Sequence, residues 1–255
     1  MAYVHSSNPV DSNNVQVSEL LCPLSANDSG DLAVVVITTS YNTGTFQQKT
    51  GTTGWTLHDN TQTGADTYAI FYKFVGASEA NPTFQEAGTN TGYTDAVVTI
   101  VKGAHATPIL TFSTTGGTSA KIFNLPTLDT TGTDDTLILV TCGSTSESRT
   151  VVYPPEMTSY SRAAFVNNCI SAGWFQQQTG AVTPAIEVVH DFTDTSEIGK
   201  VLISIKDDGT GAIRGHVDPS SPPAELVQGC FLSHANQTNI SSTGSNVVPT
   251  LDGNT

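Results

Sequence analysis

The sequence predicts an all-β fold: two tandem antiparallel β-sandwiches, Ig-like or jelly-roll-like, followed by an extended C-terminal arm. Three observations carry this expectation. Short apolar runs rich in β-branched and aromatic residues are separated by Gly, Asn, Asp, Thr and Pro, and no window sustains a helical period. The order of features in the first hundred residues recurs in the second hundred. Beyond Lys206 the apolar runs give way to turn residues and proline.

In the first repeat, strands are predicted over 15–21, 32–39, 55–60, 68–75, 83–86 and 96–101. Within DTYAIFYKFV (66–75), Tyr68, Ile70, Tyr72 and Phe74 fall on one face, and Ala69, Phe71, Lys73 and Val75 on the other. Both faces are substantially apolar. Such a strand belongs inside a sheet, with the opposing sheet on one side and loops or a neighbouring subunit on the other. The run LAVVVI (32–37) makes the same demand.

In the second repeat, residues 137–141 match 32–38, and Met157 falls near the place of Trp55. SAGWFQQ (171–177) stands where YAIFYKF stood, Pro184 matches Pro82, and VLISIK (201–206) matches VVTIVK (97–102). Five correspondences in register indicate a duplicated domain. The predicted division is 1–106 and 107–207 for the sandwiches and 208–255 for a linker and arm.

In the last segment, Pro219, Pro222 and Pro223 hold a turn-rich connector extended. The stretches 226–233 and 246–251 read as short strands, but the segment is too short and too polar for a third comparable core. NVVPTLDGNT at its end resembles FNLPTLDTTG at 123–132. Its apolar residues, Leu226, Val227, Phe231, Leu232, Val247, Val248 and Leu251, are the candidate anchors by which an arm would add a strand to a neighbour's exposed sheet edge.

Only 13% of residues are charged, and 23 acids against nine bases give a net charge of −14. The long-range field therefore has the wrong sign for nucleic-acid phosphate. The amino-terminal stretch MAYVHSSNPVDSNN carries neither a basic nor an apolar leader region, and no run approaches the roughly 20 apolar residues of a membrane span. Cys22, Cys142, Cys169 and Cys230 lack metal-ligand spacing and read as free thiols, with Cys142 a small buried hydrophobe.

Enzyme motifs are scarce: there is no GxSxG, HExxH or Walker loop, and the six histidines are scattered. Asp191, Asp194 and Glu197 in HDFTDTSE form the best carboxylate cluster. They lack the glycine-punctuated order of an EF-hand and any complementary acid, base or nucleophile nearby. No catalytic residue, cofactor or metal site is assigned. Trp174 lies in a strand and is expected in the core. Trp55 follows a glycine turn at a strand start, where its ring either plugs the end of a sandwich or stacks on a sugar.

One pattern remains: Gly30, Asp31 and Leu32; Gly54, Trp55, Thr56 and Leu57; Tyr72 and Lys73; Ala77, Ser78 and Glu79; Pro82 and Phe84. This order resembles a β-sandwich module common in tailed-bacteriophage structural proteins and covers most of residues 10–103. It departs at Thr53, where the family usually has proline. The second copy replaces Gly-Trp by Glu156-Met157.

The resemblance implies a non-enzymatic virion protein, made in the host cytoplasm and assembled there into a particle. Its expected role is a capsid decoration (cement) protein or head fibre, a homo-oligomer held by the major capsid protein or by neighbouring subunits, with no nucleic acid or membrane as partner. The alternative is a tail-fibre or receptor-binding module that recognises host surface glycan through Trp55.

Overall fold

The computed structural model describes residues 2–25, 27–40, 44–63, 66–88, 92–115, 122–124, 127–130, 136–144, 151–155, 157–165, 168–177, 182–183, 187–190 and 198–208. By its contacts the chain divides into Met1–Gly211 and Ala212–Thr255. The expected arm, with its seven candidate anchors, lies outside the described residues.

The described residues form sixteen strands and contain no helix, as the alternating apolar runs require. The first eight are β1 (Tyr3–Val17), β2 (Glu19–Leu21), β3 (Leu32–Ser40), β4 (Phe46–Gln48), β5 (Thr56–Thr63), β6 (Asp66–Phe74), β7 (Thr83–Glu86) and β8 (Gly92–Lys102). The second eight are β9 (Ala104–Thr115), β10 (Ile122–Asn124), β11 (Thr136–Ser144), β12 (Val151–Val152), β13 (Thr158–Phe165), β14 (Asn168–Gln177), β15 (Glu187–His190) and β16 (Ile198–Asp207).

In the first half a five-stranded inner sheet, β1-β8-β3-β6-β5, faces a three-stranded outer sheet, β2-β7-β4. In the second half the orders are β9-β16-β11-β14-β13 and β10-β15-β12, so each strand has a counterpart eight places later. The ladders are antiparallel throughout. The nested pairs β1·β8, β2·β7 and β3·β6 are those of a long hairpin rolled on itself, which makes each sandwich jelly-roll-like rather than Ig-like.

Three cores separate the four layers. Ala33, Val35, Ile37, Phe71, Val98 and Ile100 of the first inner sheet meet Leu20, Phe46 and Phe84 of its outer sheet. Ile138, Val140 and Leu202 meet Val188, Tyr153 and Met157 in the second half. Between them the two inner sheets pack on each other. Leu32, Val34, Val36, Tyr68, Ile70 and Val101 lie against Leu137, Leu139, Val201, Ile203 and Ile205. The apolar second face of 32–37 and 66–75 is therefore covered by the other half of the same chain, not by loops or a neighbouring subunit.

A single residue connects β8 to β9. Gly103 has φ of 72°, a conformation that costs glycine no steric strain, so one strand turns directly into the next layer. Asp208 N donates to Gly103 O at 3.0 Å, and Ala2 N donates to Asp207 Oδ2 at 3.1 Å, which fastens the start of β1 and the end of β16 near this turn.

One strand differs from expectation. Residues 15–21 divide between β1 and β2, and β1 begins at Tyr3, inside the polar stretch HSSNPVDSNN. β1 is an edge strand paired only to β8, and an edge tolerates both polar residues and Pro9. Truncating the centre of the first core, Phe84→Ala, is expected to cost about 3–5 kcal/mol in urea unfolding. Gln47→Ala on the exposed outer strand should stay within about 0.5 kcal/mol of the parent.

Candidate functional site

The residues of the GDL…GWTL…YK…ASE pattern converge at one end of the first sandwich. Gly30 N donates to Val75 O, and Val75 N to Asp31 O, both at 2.9 Å, which pins the entry of β3 to the end of β6. The Asp31 carboxylate turns back and accepts from Asp28 N at 2.7 Å. From β6, Lys73 Nζ donates to Glu79 Oε1 at 2.7 Å and to Thr53 O at 3.0 Å, while Glu79 Oε2 accepts from Gly76 N at 3.3 Å. The hydrogen bond from Lys73 holds the Glu79 carboxyl below its ordinary range.

Gly54 is required by two conditions at once: φ is 79°, and a Cβ there would lie 3.3 Å from Lys73 Cε. Gly54→Ala is therefore expected to destabilise by about 1–3 kcal/mol, read as a lower urea midpoint.

Trp55 is 5% exposed. Its N–H donates to Gln48 Oε1 at 3.1 Å, and its carbonyl accepts from Gln48 Nε2 at 2.6 Å. Its ring meets Phe84 edge-on with centroids 5.5 Å apart, and Phe84 in turn stacks on Phe71 at 4.3 Å. Of the two roles open to Trp55 from sequence, the ring plays the plug. The ring's faces are covered by the core rather than presented to solvent.

A cavity of about 230 Å³ lies where β1 approaches β11, β13 and β14, lined by Tyr3, Leu137, Thr158, Trp174 and Gln176 among others. Trp174 is half-buried and borders this cavity as well as packing against the inter-sheet core. Among the described residues that line it, none is an acid or a strong base.

Among the described residues no three His, Cys, Asp or Glu side chains cluster as metal ligands. Asp191, Asp194, Glu197 and Cys230 lie outside them. Cys22 is a buried free thiol whose pKa is raised by desolvation, which makes it a poor nucleophile. Cys142 and Cys169 sit on β11 and β14.

The topology also assembles a group that spacing did not reveal. Asp95 on β8 lies directly across from Asp11 on β1 and from Thr38 on β3. Asp95 is 2% exposed and Thr38 fully buried. Neither Asp95 Oδ2 nor Thr38 Oγ1 has a hydrogen-bond partner. Desolvation pushes the Asp95 carboxyl up to about 7 and the neighbouring Asp11 adds to the rise, against a backbone hydrogen bond from Ser12. Asp11 and Asp95 are far apart in sequence; only the wrapping of β1 onto β8 joins them.

Comparison of the chain with known protein families, with curated proteins and with solved structures gave no match.

Because the folded-state pKa of Asp95 lies above its unfolded value of 3.8, the native state keeps a proton that the unfolded chain releases. Stability from this group is greatest below about pH 4 and falls as pH rises to about 7, a penalty on the order of 4 kcal/mol above that point. Asp95→Asn should remove the penalty, raising Tm at pH 8 and leaving it nearly unchanged at pH 4. An unaltered pH profile in the variant would show that Asp95 is not the group responsible.

Proposed function

We propose that this chain is a non-enzymatic structural protein of a tailed-bacteriophage virion, a decoration (cement) protein or head fibre of the outer capsid surface. The observation that carries the reading is the use made of the residues behind the resemblance. Lys73 bonds to Glu79 and to Thr53 O, Asp31 accepts from Asp28 N, Trp55 pairs with the Gln48 amide, and Gly54 packs under Lys73, so the pattern holds one sandwich end together. A pattern spent on rigidity suits a module whose value lies in its shape.

The four-layer stack supports the same reading. Among the described residues β1 and β5 of one inner sheet, and β13 and β9 of the other, end their ladders, and in this proposal another chain adds at such an edge. In this proposal the segment 208–255 supplies the grip through Leu226, Val227, Phe231, Leu232, Val247, Val248 and Leu251. The partner is the major capsid protein or a second copy of the chain. The glycan-binding alternative loses its one named contact with the burial of Trp55.

Quantitative mass spectrometry of separated heads and tails tests the assignment. The protein should partition with heads, at a copy number in fixed ratio to the major capsid protein; partition with tail fibres would refute it. Removing residues 219–255 should abolish particle occupancy while leaving the melting of the Met1–Gly211 unit intact. Full occupancy of the shortened chain would exclude the arm as anchor.

A further inference from the structure

We propose that His58 is an acid-sensitive latch between the two inner sheets, closed while its imidazole is neutral and loosened once the ring takes up a proton. Its position comes from a bulge. On the edge strand β5, Leu57 pairs with Phe71 and Asp59 with Ile70, so His58 is an extra residue between two consecutive ladder partners. A bulge re-aims the side chain it carries. The His58 ring meets Phe112 of β9 edge-on, with centroids 4.8 Å apart, and Tyr72 of β6 at 6.2 Å.

Phe112 belongs to the second sandwich, and both it and Tyr72 pack against the core that the inner sheets share. His58 therefore bridges β5 to β9, while at the other edge of the stack β1 lies against β13 and β14. The second sandwich carries the same irregularity. On β13, Ser159 pairs with Gly173 and Ser161 with Ala172, which leaves Tyr160 as the extra residue. The bulge is common to both copies, and a ring that titrates near neutrality is particular to the first.

His58 Nε2 is buried and has no hydrogen-bond partner. A neutral imidazole can leave that nitrogen a bare acceptor, whereas the imidazolium carries an N–H on both nitrogens. Protonation thus sets a donor without an acceptor, and a charge, among aromatic rings.

Few titratable groups face the ring from the strands around it. Asp59, the next residue of β5, favours the cation, but its carboxylate already accepts from Thr61 Oγ1 at 2.6 Å. Tyr72 brings a phenol, and Phe112 and its ladder partner Ile203 on β16 bring no charge. Desolvation outweighs Asp59 and holds the imidazole below its ordinary 6.5. The folded chain then binds fewer protons than the unfolded one. Stability from this group is fully present above pH 6.5 and is lost as the pH falls from there through the folded-state value.

Imidazole resonances of the full chain, followed by NMR from pH 8 to 5 and assigned with His58→Phe and His58→Gln, should show His58 titrating below 6.5. Between pH 7.5 and 5.5 the parent's unfolding constant should rise several-fold, at most about tenfold, relative to that of His58→Phe. Both chains carry Asp95, so its opposite trend cancels. Hydrogen exchange at pH 5.5 should show β5 and β9 losing more protection than β3 in the parent and not in the variant. A His58 pKa at or above 6.5 would mean that the rings hold the imidazolium as a cation, and it overturns the proposal. Equal loss of protection in β3, β5 and β9 overturns it as well.

Discussion

The constraint on which the structure turns is that the first inner sheet is buried on both faces. An antiparallel sheet commonly keeps one face wet and alternates apolar with polar residues. Here β3 must satisfy a core on either side, and LAVVVI does so with Ala33, Val35 and Ile37 toward the outer sheet and Leu32, Val34 and Val36 toward the other half. Gly103 suits the arrangement, because a connection of one residue at positive φ carries the chain directly from one inner sheet into the other. Two sandwiches so joined share a third core, which makes the inner faces part of one packed unit.

Burial on both faces dictates how polar groups are handled. Inside such a stack each hydroxyl or amide needs a partner from the chain itself. Ser7 finds Thr99 at 3.1 Å, Thr94 finds Thr39 at 3.1 Å, Tyr153 finds Ser171 at 2.9 Å, and Gln177 finds Thr130 at 2.9 Å. The Thr-rich, Lys-poor composition becomes intelligible in this light. Short hydroxyl side chains bond across a ladder without the entropy and desolvation cost of burying long charged ones. Thr38 and Ser204 keep unpartnered hydroxyls, and among these exceptions Asp95 stands out because its side chain is ionisable.

What sequence could reveal follows from which interactions are local. β3, β6 and β8 were legible because two-sided apolar runs announce themselves, and the all-β class followed from the absence of a helical period. β1 was not, since an edge strand's pairing partner decides it and its own residues are mostly polar. The four-residue β7 was legible from Thr83 and Phe84, whereas the three-residue β4 was too short to show a period. At the candidate sites, Trp55 left two roles open, because a tryptophan after a glycine turn looks alike whether it faces core or solvent. The Asp11–Asp95–Thr38 row was invisible, because three strands drawn from distant parts of the chain had to pair before it existed.

The second half shows how a motif can vanish while the packing problem it solved persists. Val35 pairs with Phe71 in the first sandwich, and Val140 pairs with Gly173 at the matching ladder position in the second. The first fills its core there with Phe71, Phe84 and Trp55 in contact. The second removes the ring from the strand and brings Tyr153 and Met157 over the gap, so close that a Cβ on Gly173 would lie 3.1 Å from Tyr153 and 3.2 Å from Met157. Volume lost from the strand is returned by the loop, and such compensated exchanges are the ones cores tolerate best. Loss of Gly-Trp at 156–157 is therefore no sign of a different fold. Met157 takes the space that Gly173 of SAGWFQQ leaves open, so the two positions are complementary in volume.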